Sequence, residues 1–147
     1  MRSRLWIAIP VLLAAGVLHT ACSGSPSHTH TCGSGTPPDL TGSYTLYQYT
    51  YGSTVYAVPP SSGTLTYSAA SGYAMSLSLK SPTDSLSLYD FGTFEIVGTS
   101  CILYTSQNGV APFSGSFTLR TSLNTTTYRV SGTDGTRQII GVWIKVS

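Results

Sequence analysis

Apolar and polar residues alternate one by one along most of the chain after residue 40. In the stretch 73–80, large apolar side chains occupy every odd position, and small or charged side chains occupy every even position. The same alternation recurs at 116–120, 127–131 and 140–146. A repeat of two residues is typical of a β-strand with one buried face, whereas a helix would repeat every 3.6 residues.

Clusters of Gly, Ser, Pro, Asn and Asp separate these runs and divide the region into strands. The pattern predicts eight strands, at 43–51, 63–69, 73–81, 85–97, 101–106, 115–121, 126–132 and 138–146. As an alternative, the fourth strand is interrupted near Asp90–Gly92. The short turns at 70–72 and 98–100 contain Gly, which suits tight hairpins. We therefore predict an all-β fold, an antiparallel up-and-down meander that closes into a small barrel and so removes its exposed edges.

The side chains predicted to point into this barrel are bulky. They are Tyr44, Leu46, Leu65, Tyr67, Met75, Leu77, Phe94, Ile96, Phe117, Leu119, Ile140 and Val142. An eight-stranded barrel is just wide enough inside for side chains or for one small ligand. These residues favour a packed interior with at most a shallow cup at one end.

The first 21 residues have the pattern of an export signal. Arg2 and Arg4 precede a mostly apolar run from 5 to 18, which is shorter than the about 20 residues of an ordinary membrane-spanning helix. The following sequence, His19-Thr20-Ala21-Cys22, resembles a bacterial lipobox, although His19 stands where that pattern has Leu. The resemblance implies a lipid on Cys22, and Ser23 after it implies the outer membrane in a Gram-negative cell. A plain secretory signal is the alternative.

Residues 22–39 are rich in Ser, Gly, Pro and Thr and lack apolar periodicity, which predicts a flexible tether. The chain therefore divides into a signal at 1–21, a tether at 22–39 and a barrel domain at 40–147.

Short motifs in the barrel domain resemble the lipocalin-like (calycin-type) domains of bacterial lipoproteins. Leu40-Thr41-Gly42-Ser43-Tyr44-Thr45-Leu46 is similar to their opening strand, with Tyr44 at the aromatic position of the lipocalin Gly-x-Trp motif. Further matches in order are 62–66 with 72–75, 90–96, 114–118 and 142–145. The resemblance implies a lipocalin-like barrel and adds little about function.

Charge and composition exclude several classes of protein. Only 8% of residues are charged, against roughly 25% in average soluble proteins. Beyond the two signal arginines, five cations match five carboxylates, so the body is neutral by formal charge. A neutral body has no long-range field to steer DNA, RNA or anionic lipid, and we exclude nucleic acid as a partner.

Few residues in the barrel domain could carry catalysis. The three histidines are His19, His28 and His30, all outside it, so no Ser-His-Asp or Cys-His site can form there. Asp84, Asp90 and Glu95 could supply a carboxylate pair, but a turn aspartate and a solvated strand glutamate explain them better. We predict a protein without enzymatic activity or cofactor.

The cysteines allow two alternatives. Cys32 and Cys101 pair as a disulfide in an oxidising compartment, or Cys101 is a small buried apolar residue and Cys32 is unrelated to it. His28, His30 and Cys32 have ligand-like spacing, but a flexible tether gives a metal no outer-shell support, so no metal site is predicted.

Five aromatic residues could form an outward-facing binding surface, namely Tyr47, Tyr49, Tyr51, Tyr56 and Trp143. Ordinary cross-strand pairing on the barrel exterior is the alternative. The functional hypotheses are a membrane-anchored module that binds a small apolar ligand, and a structural or protein-interaction lipoprotein of the cell envelope with a filled barrel. The second could include an inhibitor that presents the loop 56–62.

Overall fold

A computed structural model of the protein describes residues 31–109 and 114–146. These residues form nine β-strands and no helix. The strands are β1 (Gly42–Tyr51), β2 (Thr54–Ala57), β3 (Ser62–Tyr67), β4 (Gly72–Lys80), β5 (Ser85–Val97), β6 (Cys101–Ser106), β7 (Gly115–Ser122), β8 (Thr125–Asp134) and β9 (Arg137–Lys145). No helix long and apolar enough to cross a membrane occurs in the described parts of the chain.

All neighbouring strands are antiparallel, and β9 pairs with β1 to close the sheet. Eight strands form the wall of the barrel, which confirms the predicted up-and-down fold. The ninth, β2, was not predicted and pairs only with the second half of β1, from Gln48–Ala57 to Tyr51–Thr54. The fourth predicted strand is continuous, because β5 runs through Asp90–Gly92 while paired with β4.

A β-bulge in β1 changes which side chains point inward. Leu46 pairs with Trp143, but the next residue paired with β9 is Gln48, so Tyr47 is the extra residue. An extra residue reverses the alternation of the residues that follow it. Tyr44 and Leu46 are therefore buried before the bulge, and Tyr49 is buried after it.

The predicted orientation of β9 is wrong. Ile139, Gly141 and Trp143 point inward, whereas Ile140 and Val142 lie on the outer side. Both faces of this strand are apolar, so alternation alone could not choose between them. Burying the large indole of Trp143 removes more apolar surface from water than burying Val142, which favours the observed orientation.

The other predicted core residues do contribute to the interior. Tyr44, Leu46, Leu65, Tyr67, Met75, Leu77 and Phe117 are buried, and Phe94, Ile96 and Leu119 pack against them. Further buried members of the core are Leu40, Tyr49, Tyr56, Tyr73, Leu79, Ile102, Tyr128, Val130, Ile139 and Trp143.

Residues 31–41 run across one end of the barrel, from the turn between β5 and β6 to the start of β1. The Thr99 N–H donates to the Cys32 carbonyl at 2.8 Å. At the other end of this segment, Leu40 is buried, and its carbonyl accepts a 2.7 Å bond from the Tyr44 hydroxyl. The described part of the predicted tether is thus held against the barrel at both ends.

Candidate functional site

The five residues of the predicted aromatic surface do not share one exposed face. Tyr47, the bulged residue, is 61% exposed, but Tyr49 and Tyr56 are each only 5% exposed and Trp143 is 1% exposed. The bulge in β1 buries Tyr49, and the inward orientation of β9 buries Trp143. The structure therefore contradicts the predicted aromatic surface.

Tyr51 belongs to a polar cluster at the end of the barrel opposite residues 31–41. Its hydroxyl donates to Asp134 Oδ2 at 2.7 Å and accepts from the Arg137 guanidinium at 3.2 Å. The Arg137 guanidinium also lies over the Tyr51 ring, 5.3 Å from its centroid. These contacts fix the turn between β8 and β9 to the end of β1, so they account for Tyr51 structurally.

Three tyrosine hydroxyls meet inside the barrel, from Tyr67 on β3, Tyr104 on β6 and Tyr128 on β8. Tyr67 and Tyr104 share a short hydrogen bond, and the Tyr128 oxygen lies 3.1 Å from Tyr67 and 3.2 Å from Tyr104. We call these three residues the tyrosine triad. Each phenol can donate one bond and accept another, so the triad satisfies its own hydroxyls.

Burial keeps the tyrosine triad neutral over the ordinary pH range. Burial raises the pKa of Tyr128 to about 12. It raises the pKa values of Tyr67 and Tyr104 well above the usual value as well, with a further contribution from the neighbouring phenols. A neutral phenol is a poor nucleophile and base, so the geometry indicates a structural network. The alternation shows that Tyr67 and Tyr128 share a strand face with apolar residues, but it carries no signal that these hydroxyls meet across the barrel.

Aromatic rings fill the space around the tyrosine triad. The Tyr67 ring packs edge-on against Phe94 at 4.7 Å and against Tyr44 at 5.8 Å between centroids. Tyr128 packs against Phe117 at 5.7 Å. The centre of the barrel is therefore occupied by interlocked side chains.

A carboxylate, Asp90, is fully buried in the wall of the barrel. It accepts hydrogen bonds from the Tyr73 hydroxyl at 2.7 Å and from the Ser106 hydroxyl. Burial, followed by the bond to Asp90, raises the pKa of Tyr73. Asp84 lies in an exposed turn and Glu95 is exposed, so the structure does not bring the three candidate carboxylates together.

The indole of Trp143 lies against Gly141 in the interior. A Cβ at position 141 would come within 2.6 Å of the indole Nε1 atom, so the inward orientation of Trp143 requires glycine there. The Nε1–H is buried and has no hydrogen-bond partner among the described residues. A buried donor without a partner is uncommon in folded proteins.

Cys32 and Cys101 form a disulfide bond, with their Cα atoms 5.0 Å apart. The Cys32 sulfur is therefore not a thiolate ligand, which removes one member of the His28-Cys32 metal pattern. Within the described residues no group of three His, Cys, Asp or Glu side chains could hold a metal ion. Cys22, His28 and His30 lie outside the described residues.

Grooves on the outer wall include the following two. One, of about 360 Å³, is lined by Thr118, Arg120, Thr127, Arg129 and Val142 on β7 to β9. The other, of about 310 Å³, is lined mainly by Ser and Thr of β1, β3 and β4, together with Val58. Neither groove coincides with the predicted aromatic surface.

Comparison with known proteins gives no relative from which a function could be transferred. No protein-family model, curated protein sequence or solved structure matches the chain.

Proposed function

We propose that the protein is an exported lipoprotein, anchored through an acylated Cys22, whose calycin-type barrel has no enzymatic activity and acts through its outer surface. The filled interior is the observation that carries this proposal. Seven of the aromatic rings in the core come from seven different strands, namely Tyr44, Tyr67, Phe94, Tyr104, Phe117, Tyr128 and Trp143. An eight-stranded barrel has room for little beyond such side chains.

The polar groups inside the barrel also support a structural interior. The tyrosine triad satisfies its own hydroxyls, and Asp90 is bonded to two hydroxyl donors. Histidine is the side chain that ordinarily exchanges protons near neutral pH, and no residue from 31 onward is a histidine. Any proton transfer to these groups would need another side chain. These features favour binding at the outer wall over chemistry within it.

The cysteines support the proposed anchor. Because Cys32 and Cys101 are joined to each other, Cys22 is the cysteine that remains for another role. It directly follows the apolar run of the signal, where a lipoprotein is modified. The lipid chain would hold the barrel at the surface of the membrane.

A second candidate function is the binding of one small ligand inside the barrel. The specific observation in its favour is the Trp143 Nε1–H, a buried donor without a partner among the described residues. A ligand with an acceptor atom beside Gly141 would satisfy that donor. Such a ligand would have to displace some of the aromatic packing.

Mass spectrometry of the full chain, expressed in a Gram-negative host and purified from the envelope, tests both candidates. We expect a denatured mass that carries acyl groups, and a native mass that contains nothing more. The Cys22→Ser variant should lose the acyl mass, while Cys101→Ser should retain it. An unmodified Cys22 would overturn the anchor, and a reproducible mass lost only on denaturation would overturn the filled interior in favour of the ligand.

A further inference from the structure

The larger groove on the outer wall has an ordered arrangement of charge and hydroxyl groups. In the pairing of β7 with β8, Thr118 faces Arg129 and Arg120 faces Thr127. The four side chains form a square, and the two arginines occupy diagonally opposite corners. Diagonal neighbours on a sheet are about 7–8 Å apart, so two flexible arginines there can reach one anion. Val142, which faces Arg129 on β9, supplies an apolar edge.

The side chains of the two arginines in this groove lack the partners that Arg137 and Lys145 have. Arg137 is bonded to Tyr51 beside Asp134, and Lys145 donates to the Thr41 carbonyl near Asp39. Neither the Arg120 nor the Arg129 side chain has a hydrogen bond or ion pair with any described residue. The one carboxylate in the sequences of β7, β8 and β9 is Asp134, at the far end of β8. In a chain with 8% charged residues, this wall is a local concentration of unneutralised positive charge.

An exposed apolar residue marks the nearest turn. Leu123, between β7 and β8, is 97% exposed. The φ angle is 47° at Leu123 and 65° at Asn124, so both residues have positive φ. In two-residue hairpins, Asn and Gly usually occupy such positions. Leucine is disfavoured there by its φ and gains nothing from burial in the fold. The whole side chain is therefore available to a surface outside the folded barrel.

This turn lies at the same end of the barrel as residues 31–41. In an up-and-down barrel the start of β1 and the turn between β7 and β8 are at one end, and Lys145 beside them bonds to Thr41. The chain enters the barrel from its N-terminal side at this end. The first described residues, from 31 onward, therefore lie at the end of the barrel that carries Leu123.

We propose that Leu123 and the groove of Arg120 and Arg129 form a membrane-docking edge that binds the phosphate groups of anionic lipids. The guanidinium fork suits two-point hydrogen bonding to phosphate oxygens, and the two threonine hydroxyls add further donors. Leu123 enters the interface between headgroups and acyl chains, as exposed apolar residues of peripheral proteins do. The proposed function enters this proposal in one respect, because the acylated Cys22 would bring the barrel to the membrane. The groove itself needs no acyl chain to bind phosphate.

Paramagnetic relaxation tests the docking edge. The isotope-labelled full chain is reconstituted in nanodiscs of phosphatidylcholine, with and without phosphatidylglycerol, that contain a headgroup-labelled lipid. We expect enhanced relaxation at Leu123, Arg120 and Arg129, strongest with phosphatidylglycerol, and none at Asp84, in the turn between β4 and β5 at the opposite end of the barrel. Each arginine near an anionic surface is worth about a fivefold change, so the ratio of docked to undocked barrel should fall about 30-fold in the R120Q/R129Q variant.

Two controls separate the outcomes. Lys80→Gln removes a cation elsewhere on the barrel and should leave docking unchanged, while Leu123→Ser should weaken it with both arginines in place. Saturable shifts with soluble glycerol phosphate but no docking in nanodiscs would overturn the membrane assignment. Equal relaxation in the wild type and R120Q/R129Q would overturn the role of the arginines. The mass at Cys22 in the same sample reports separately whether the anchor itself exists.

Discussion

The barrel wall is continuous on one side and nearly broken on the other. β8 pairs with β9 from Thr127–Ile144 to Asp134–Arg137, so almost the whole length of both strands is joined by the backbone. In contrast, the described residues of β6 and β7 pair only at Cys101–Ser116 and Ile102–Gly115. We call this short pairing the β6–β7 seam. A long backbone ladder holds the first region together, whereas the second region has only a short one.

Other bonds concentrate around the β6–β7 seam. The Phe117 N–H donates to the Ser100 carbonyl at 2.6 Å, and the Tyr104 N–H donates to the Ser114 hydroxyl at 3.1 Å. Cys101, at the seam itself, is covalently joined to Cys32. The tyrosine triad connects Tyr104 on β6 to strands elsewhere in the wall. Where the ladder is shortest, the Phe117 and Ser114 bonds join β7 to β6, while the disulfide and the tyrosine triad hold β6 to other parts of the barrel.

Removing the disulfide should have the largest effect on the difference between the β6–β7 seam and the continuous side of the wall. Its partners are 69 residues apart, and the chain-entropy model gives a loop of that length about 4 kcal/mol. We expect the C32A/C101A variant to lose about that much free energy of unfolding. Denaturant titration measures the loss, and amide hydrogen exchange should accelerate at β6 before it accelerates at β8 and β9.

A reductant is the matched control for the disulfide. It should destabilise the wild type by a similar amount and leave C32A/C101A unchanged. If exchange accelerated equally in β6 and in β9, the disulfide would act on the whole barrel and not on the β6–β7 seam.

Alkaline pH should have the next largest effect, because it removes the stability that the buried tyrosines contribute. Tyrosine in the unfolded chain ionises near pH 10, whereas burial raises the pKa of Tyr44, Tyr49 and Tyr128 in the folded protein to about 12. Between these values the unfolded chain binds fewer protons than the folded one, so stability falls as pH rises. Below about pH 10 the contribution of these residues is fully present.

The expected slope is about 1.4 kcal/mol per pH unit for each tyrosine that stays fully protonated in the folded state. Denaturant titrations across this range measure it, with the ultraviolet absorbance of tyrosinate as a second probe. Tyrosinate formation at all ten tyrosines near pH 10, with no loss of stability as the pH rises, would contradict the assignment of a closed, dry interior.

The fold was readable from the sequence because its strands alternate and its turns are short. In β4, apolar side chains at 73, 75, 77 and 79 match the buried face residue by residue. The pattern failed where both faces are apolar, as in β9, and where one extra residue reverses the alternation, as at Tyr47 in β1. β2 is only four residues long and was too short to stand out.

The candidate site was less predictable than the fold. Tyr49 is buried because of the bulge in β1, and Trp143 is buried because of the orientation of β9. The composition of the chain reveals neither feature. The tyrosine triad depends on contacts between strands that are not neighbours, and the alternation within one strand is silent about those. Arg120 and Arg129 were visible as charges, but their shared groove follows from the register of β7 with β8.

The smallest expected effect is the loss of one hydroxyl from the tyrosine triad. Tyr104→Phe removes the hydroxyl that connects β6 to Tyr67 and Tyr128, while those two keep their mutual bond at 3.1 Å. A buried hydrogen bond of this kind contributes about 1 kcal/mol, and the retained ring keeps the packing. We expect a loss of that size by denaturant titration, together with faster exchange in β6. Tyr47→Phe removes an exposed hydroxyl from the continuous side of the wall, so it should change stability by less than about 0.5 kcal/mol. Equal effects of the two substitutions would mean that the triad fills the interior without supporting the β6–β7 seam.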